Sequence, residues 1–411
     1  MRLGVTGQRR RFIMPLIPRT RAGSNARPLV LGRPILHRIH DRLNDVFQGL
    51  RWPHVAYKTL ALGYLIFMLW IASFLLPLAS DVLSKPSKKF LINHQNFDHY
   101  FGSFKGFSEC GIRGRDLYMP TSEDQHGSLT QASCTTRRSL LTAMSGGGRI
   151  GFDAPYIPRG CHYRWFTIAE TCMILERFDS LVFVGDDSLQ SIYNGFNILL
   201  RQDLIFGAMR VQEMEGALRT QCWCDSQFTA KACSRHFVTA SHQVPQDVLA
   251  EDSVSFCRRT PHTFLRIDGN HMSLNTLNSF KMMVPSVPPS NYKAVPIILS
   301  LQPASCSQES ASRALLEILG LADESKRKTP MLWVGPSAAG HVEVKDRKSN
   351  QEIWEFDKHM EHVALENDIE VLKMWNMTVQ AESWDGVQFG EKVAVTQAMM
   401  LINWLSLLES S

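Results

Sequence analysis

The chain has 411 residues, of which 44% are hydrophobic and 20% are charged, a composition typical of a globular protein that can bury a sizeable core. Its net charge of +5 is unevenly distributed, because residues 1–58 carry eleven Arg and one Lys against two Asp, so the remainder of the chain is net acidic. This distribution argues against a nucleic-acid-binding body and predicts no nucleic-acid partner.

The N-terminal residues predict a membrane anchor. Residues 1–58 are Arg- and Pro-rich and predict a largely disordered cytosolic tail. Residues 59–79 hold 21 residues without a charge, and about 20 apolar residues are enough for a helix to cross a bilayer. The basic flank precedes this segment, so the positive-inside rule directs the C-terminal part to a lumen. We expect a type II single-pass membrane protein of the Golgi or endoplasmic reticulum, with residues 80–144 as a stem and entry segment and residues 145–411 as the lumenal domain.

All nine cysteines lie on the predicted lumenal side, where an oxidising compartment favours disulfides. Their odd number predicts at least one thiol without a partner. Cys222, Cys224 and Cys233 also allow a zinc interpretation, but a second ligand pair at finger spacing is missing, so disulfides are favoured over a metal. Asn376 opens an Asn-Met-Thr sequon and predicts an N-glycosylation site on the same side.

Buried strands alternate with helices along the C-terminal part. Apolar runs predict strands within 181–184, 293–301 and 330–335, and the predicted helices are 167–178, 188–203, 310–321, 353–375 and 391–408. Residues 206–260 are irregular, contain four Cys and predict a disulfide-pinned insertion. The alternation predicts a short parallel sheet in a three-layer α/β sandwich.

Ser188 is the candidate nucleophile. It follows Gly185-Asp-Asp187 at the turn between a buried strand and a helix. Such a turn lies at the carboxyl edge of a parallel sheet, where open α/β folds place their sites, and a helix N-terminus favours developing negative charge. The alternative is that Ser188 only caps the helix, which is the ordinary role of Ser at such a turn.

Four stretches carry a family resemblance. They are Gly160-Cys-His-Tyr-Arg-Trp-Phe166, Val184-Gly-Asp-Asp-Ser-Leu189, Gln221-Cys-Trp-Cys224 and Ser383-Trp-Asp-Gly-Val-Gln-Phe-Gly390. With these motifs, about residues 145–408 resemble a fungal branch of the SGNH, or GDSL-like, esterase superfamily. The chain is similar to the PC-esterase group, which includes trichome-birefringence-like polysaccharide O-acetyltransferases and the lumenal domains of capsule O-acetylation proteins.

The resemblance implies a triad, from which this chain departs. In the family, Gly-Asp-Ser supplies the nucleophile and a C-terminal Asp-x-x-His supplies the Asp and the His. Here the first motif has one more residue before Ser188, and the second reads Asp385-Gly-Val-Gln388. Gln388 replaces the family's His, and an amide cannot act as a general base.

Other site residues are expected from the same comparison. The family's oxyanion-hole Asn has no clear match after the second predicted strand, and Asn270 is a weak substitute. Gly185, Asp187 and Trp384 complete the expected oxyanion and substrate contacts. His341 is a weak substitute base, with an ordinary exposed loop position as its alternative, and two further candidates are His271 and His262.

Three functions remain open from the sequence. The leading interpretation is an SGNH-type serine esterase or O-acyltransferase without cofactor or metal, which acts on glycan hydroxyls or an acylated small molecule and is impaired by Gln388. The second is a catalytically inactive relative that binds a glycan or a partner protein. The third is a type II glycosyltransferase that uses Asp186 and Asp187 for a metal-bound nucleotide sugar.

Overall fold

The computed structural model of the chain describes residues 61–71, 100–117, 133–244, 257, 260–269, 271–286, 292–341 and 348–409. The chain divides into two compact units, Met1–Lys85 and Pro86–Ser411. In the first unit, residues 61–71 are helical and expose large apolar side chains such as Leu62 and Trp70. Within the described ranges, no helix combines the length and the hydropathy that a bilayer crossing requires. The predicted tail lies outside the described residues, and the predicted span lies only partly within them.

The second unit holds a small antiparallel pair and a larger parallel sheet. The strands are β1 (Gly148–Arg149), β2 (Tyr156–Ile157), β3 (Leu181–Gly185), β4 (His262–Arg266), β5 (Ile297–Ser300), β6 (Met331–Val334) and β7 (Glu370–Leu372). The helices are α1 (Phe107–Cys110), α2 (Gly114–Leu117), α3 (Arg137–Ser145), α4 (Ile168–Leu175), α5 (Asp187–Arg201), α6 (Ala217–Gln221), α7 (Ser226–Thr229), α8 (Leu274–Met283), α9 (Gln308–Glu324), α10 (Asn350–Glu366), α11 (Trp375–Thr378) and α12 (Glu391–Ser406).

The parallel sheet has the strand order β4-β3-β5-β6-β7. After β4 the chain crosses β3 and continues with β5 on its other side. The strand order therefore reverses between β3 and β5, and open α/β sheets bind ligands outside the carboxyl ends of the strands at such a switch point.

Apolar side chains cover both faces of this sheet. Leu181 and Phe183 pack with residues of α4, α5 and α12 in one core. Val182 and Val184 face the opposite way and pack with residues of α8, α9 and α10 in a second core. Successive residues of a strand point to opposite faces, so the continuous apolar run of β3 serves both layers. The predicted α/β sandwich with a parallel sheet is confirmed.

The parallel sheet contains two strands, β4 and β7, that the sequence did not predict. β4 begins and ends with polar residues, and β7 is a short, half-buried strand that ends the sheet, so neither shows the continuous apolar run of a central strand. Residues 353–375, predicted as one helix, therefore contain most of α10, all of β7 and the beginning of α11. Helix α9 does not end near Gly320 but continues to Glu324, because Ala322 extends the buried face of the helix.

Four disulfides confirm the predicted oxidised cysteines. They are Cys110–Cys224, Cys134–Cys161, Cys172–Cys257 and Cys222–Cys233, and Cys306 is the free thiol among the described cysteines. Cys110 and Cys134 belong to the predicted stem, whose residues Phe101 and Leu140 pack in the same core as β3. The stem boundary predicted between residues 144 and 145 falls inside α3.

Candidate functional site

A cavity of about 250 Å³ lies at the switch point. The first turn of α5 forms one wall, the loop after β5 forms another, and the loop before α12 closes it. Its lining residues with side-chain polar atoms are Asp186, Asp187, Ser188, Ser191, Gln302, Ser305, Ser337, Gln388 and Gln397. We call this space the first cavity.

A buried carboxylate connects the two sides of the switch point. Asp186 is the N-cap of α5, is 1% exposed, and accepts a hydrogen bond from the Ser188 N–H at 3.0 Å. Its other oxygen accepts hydrogen bonds from the Gln302 N–H and the Ser305 hydroxyl, both at 2.7 Å. Burial raises the pKa of Asp186 above its ordinary value, while these three donors act in the opposite direction. Asp186 therefore has a structural role, since its oxygens are already occupied.

Gly185 brings β5 close to this turn. A Cβ atom at position 185 would collide with the carbonyl oxygen of Ser300 in β5. The glycine therefore allows the two strand ends to approach each other, and Asp186 can reach Gln302 in the loop beyond β5. The oxyanion role expected for Gly185 stays a prediction.

Ser188 lies in the first turn of α5 and lines the first cavity. The alternative that Ser188 caps the helix is wrong, because Asp186 is the N-cap and the Ser188 N–H donates to it. Within the ranges that the structure describes, no residue is hydrogen-bonded to the Ser188 hydroxyl. Ser188 thus lines the first cavity with no described base hydrogen-bonded to its hydroxyl, and its N–H is already engaged by Asp186.

The motif Gly185-Asp-Asp-Ser188 spans the end of β3 and the start of α5. β3 pairs in register with both neighbours through Gly185, and α5 begins at Asp187, directly after its cap. Asp187 is therefore the first residue of α5, and Ser188 is the second. Asp187 forms an ion pair with Arg266, the last residue of β4.

Gln388 lines the first cavity, whereas Asp385 stabilises the turn that carries it. One Asp385 carboxylate oxygen accepts hydrogen bonds from the Val387 N–H at 2.9 Å and the Gln388 N–H at 2.7 Å. This is the local bonding of an Asx-type turn. Asp385 is not among the residues that line the cavity. Trp384 precedes it in the same loop and is 59% exposed.

None of the described residues that line the first cavity is a His. His341 is exposed and its ring contacts Phe152, and His271 is exposed and paired with Glu317 at 2.9 Å. His262 starts β4 at the amino end of the sheet, where the Tyr193 hydroxyl lies 2.6 Å from its Nδ1. Burial lowers the pKa of His262 to about 4. None of the three candidate bases is thus among the described lining residues of the first cavity.

Two predicted asparagines, Asn270 and Asn376, are not among the described residues that line the first cavity. Asn270 lies outside the described residues. Asn376 lies on α11, where its side-chain amide donates to the Ser145 carbonyl at 2.8 Å. The sequon's Thr378 is fully buried and its hydroxyl donates to the Met374 carbonyl. The N-glycosylation of Asn376 stays a prediction.

Adjacent Asp residues do not form an open cation site. The Asp186 oxygens accept three protein hydrogen bonds, and Asp187 is paired with Arg266. No group of three or more potential ligands that could hold a metal occurs among the described residues. This arrangement does not favour the glycosyltransferase interpretation.

Several residues that line the first cavity were not predicted from the sequence. Gln302 and Ser305 follow a predicted buried strand. Their position could have indicated the site, because the carboxyl ends of parallel strands meet at one edge of the sheet. Gln397 is a polar residue on the otherwise apolar helix α12 and is 3% exposed. Ser337 follows β6 in the same way as Gln302 follows β5.

Comparisons with known proteins add little. No family model matches the chain, and no curated protein matches it in sequence. A solved structure of a peptidoglycan O-acetylesterase is similar over 35% of this chain and 46% of its own, with 14% sequence identity and a TM-score of 0.27. The chain thus spans less than half of that structure, and a similarity of this extent does not establish a shared fold or activity.

Proposed function

We propose that this chain is a catalytically inactive relative of the SGNH esterases, and that its first cavity binds a glycan. One observation carries the proposal: the Ser188 hydroxyl shares its cavity with Gln388, and no described His lines that cavity. A neutral serine hydroxyl is a weak nucleophile, and it needs an adjacent base to attack an ester at a useful rate.

The chemistry of the lining supports a sugar ligand. Amide groups of Gln302, Gln388 and Gln397 and hydroxyls of Ser305 and Ser337 line the first cavity. Amides and hydroxyls can both donate and accept hydrogen bonds, as recognition of sugar hydroxyls requires. The exposed indole of Trp384 lies on the same loop as Gln388 and offers an apolar face on which a sugar ring can stack.

A second candidate is an acyl esterase or O-acyltransferase, favoured by the position of Ser188. The residue lies in the N-terminal turn of α5 at the switch point, where the helix dipole favours negative charge. Its Oγ would attack an acyl carbonyl to form an acyl-enzyme, and water or a glycan hydroxyl would then accept the acyl group. This candidate requires a base, and the carboxylates among the described cavity residues are already engaged, Asp186 by three donors and Asp187 by Arg266.

We also propose a membrane anchor and a lumenal site of action, in the Golgi or endoplasmic reticulum. The uncharged stretch 59–79 and the basic residues before it support a type II orientation. Four disulfides in the second unit support an oxidising compartment.

The decisive experiment combines a reactivity probe with a binding assay on the full chain. A fluorophosphonate that reacts with activated serines should leave Ser188 unlabelled when peptides are mapped by mass spectrometry. The same protein should bind oligosaccharides on a printed glycan panel, and Ser188→Ala is the control for the labelling. Labelling of Ser188 that disappears in Ser188→Ala would establish the second candidate instead. Folded protein that retains no glycan would overturn the proposed binding function.

A further inference from the structure

A second cavity of about 240 Å³ lies beside the first, around the same turn of α5. Asp187, Ser191 and Gln388 line both cavities, so the two adjoin at these side chains, and together we call them the groove. Each is smaller than the roughly 300–1,000 Å³ of typical ligand pockets. A ligand of ordinary size would therefore extend through both.

The two cavities differ in charge. Lys231 and Arg266 line only the second, and Asp186 lines only the first. The Lys231 ammonium has no ion-pair or hydrogen-bond partner among the described residues. Arg266 is paired with Asp187 and lies 3.4 Å from Asp268. Lys231 thus provides a positive charge that the described protein does not neutralise, and this charge lies at one end of the groove.

A buried amide in the second cavity also lacks a partner. Asn194 of α5 lines this cavity and is 1% exposed, and its side-chain oxygen has no hydrogen-bond partner among the described residues. An unpaired buried polar atom costs free energy, and native structures usually satisfy such groups. The oxygen is closed to solvent, so a ligand hydroxyl would donate to it, and remove that cost, once the amide turns toward the cavity.

The loop that carries Lys231 is held in place covalently. Lys231 lies between Cys222 and Cys233, which form a disulfide, and Cys224 is joined to Cys110. The Lys231 carbonyl also accepts a hydrogen bond from the Ser234 hydroxyl at 2.8 Å. These constraints hold the backbone at Lys231 beside the second cavity, and the exposed ammonium stays within reach of an anion bound there.

We propose that the second cavity is a subsite for an acidic sugar residue of the glycan that occupies the first cavity. The inference rests on the proposed glycan-binding function and specifies its ligand class. The anionic group, a carboxylate, phosphate or sulfate, would lie at Lys231, and a hydroxyl of the same residue would donate to Asn194. A neutral part of the glycan would occupy the first cavity, since the Asp186 carboxylate lines only that cavity and would repel a second anion there.

The test uses the full chain on a panel of neutral, uronic-acid, phosphorylated and sulfated oligosaccharides. We expect the protein to bind the acidic oligosaccharides. Lys231→Gln should weaken this binding about fivefold, because it removes one exposed charge pair. Lys281→Gln on α8 is a matched control at an exposed Lys on the other face of the sheet, and it should leave binding unchanged. Raising the salt concentration should reduce the difference between parent and Lys231→Gln, because salt screens exposed charges.

The outcomes separate the subsite from the function on which it rests. Retention of neutral glycans alone, equal in parent and Lys231→Gln, would overturn the acidic subsite and leave the glycan-binding function intact. Retention of no glycan by folded protein would overturn both. The acidic members retained, whether uronic-acid, phosphorylated or sulfated, identify the source of the negative charge.

Discussion

Gly195 of α5 lies directly against Ala394 of α12, so closely that a Cβ atom at position 195 would collide with the Ala394 carbonyl oxygen. The two helices meet on one face of the sheet, and both line the first cavity. The contact therefore sets the distance between the turn that carries Ser188 and the wall that carries Gln397.

Gly195→Ala should destabilise the protein by about 2 kcal/mol, as expected for overpacking at a backbone contact. Gly320→Ala is a matched control, since Gly320 is also helical but a Cβ there would meet no atom within 4 Å. That variant should gain about 0.5–1 kcal/mol, because Ala restricts the unfolded chain more than Gly does. Urea unfolding followed by tryptophan fluorescence measures both. Equal stability of the two variants would contradict the close contact.

Asp186→Ala should lower the free energy of unfolding by about 3 kcal/mol, because it removes a helix cap and leaves three donors without an acceptor. Asp186→Asn keeps one oxygen acceptor and should lose about 1 kcal/mol. Asp323→Ala, at an exposed position of α9, should change stability by less than about 0.5 kcal/mol. The same urea titration ranks the three variants, and a loss in Asp186→Ala no larger than in Asp323→Ala would refute the structural role.

Gln388→His should raise esterase activity, because it introduces an imidazole into the cavity that Ser188 lines. General bases contribute about 10²–10⁴-fold in optimised sites, and we expect about tenfold here without further adjustment. Hydrolysis of p-nitrophenyl acetate gives the rate, which should increase as the imidazole loses its proton. The double variant Ser188→Ala/Gln388→His should return to the parent rate. A Gln388→His variant no faster than the parent would show that the missing His is not the sole defect.

Glu391 should make stability depend on pH. Burial raises its pKa well above the ordinary 4.5, nearby Asp225 and Asp203 raise it further, and neither carboxyl oxygen has a hydrogen-bond partner in the described structure. A raised folded-state pKa means that the folded protein holds this proton more tightly than the unfolded chain. Its contribution to stability is therefore complete below pH 4.5 and decreases as the pH rises through the folded-state pKa.

Glu391→Gln imitates the protonated acid and should be more stable than the parent at pH 8, by at least about 1 kcal/mol if the shift exceeds one pKa unit. The difference between variant and parent should shrink toward pH 5. Glu355→Gln, at an exposed position of α10, is the control and should show no such trend. Urea titrations at a series of pH values give the differences, and parallel curves for parent and Glu391→Gln would contradict the expectation.

Local sequence signals were sufficient for the framework of the second unit. The continuous apolar runs of β3, β5 and β6 predicted the central strands, since a strand covered on both faces has no polar side. The helix predicted from residue 167 begins at Ile168, and Thr167 and Glu170 form the two reciprocal hydrogen bonds of a capping box there. The cysteine spacing favoured disulfides over a metal. Each of these features depends on residues close together in the chain.

The tertiary structure alone decided what surrounds Ser188. Asp186 bonds to residues 116 and 119 positions away, and Asp187 bonds to Arg266 at the end of a strand that shows no apolar run. Strand order decides which side chains line the first cavity, where no described His lies. Cysteine pairing closes the loop that places Lys231 in the lining of the second cavity. The sequence does not encode either of these locally, because side chains distant in the chain converge at one sheet edge only after the whole sheet has formed.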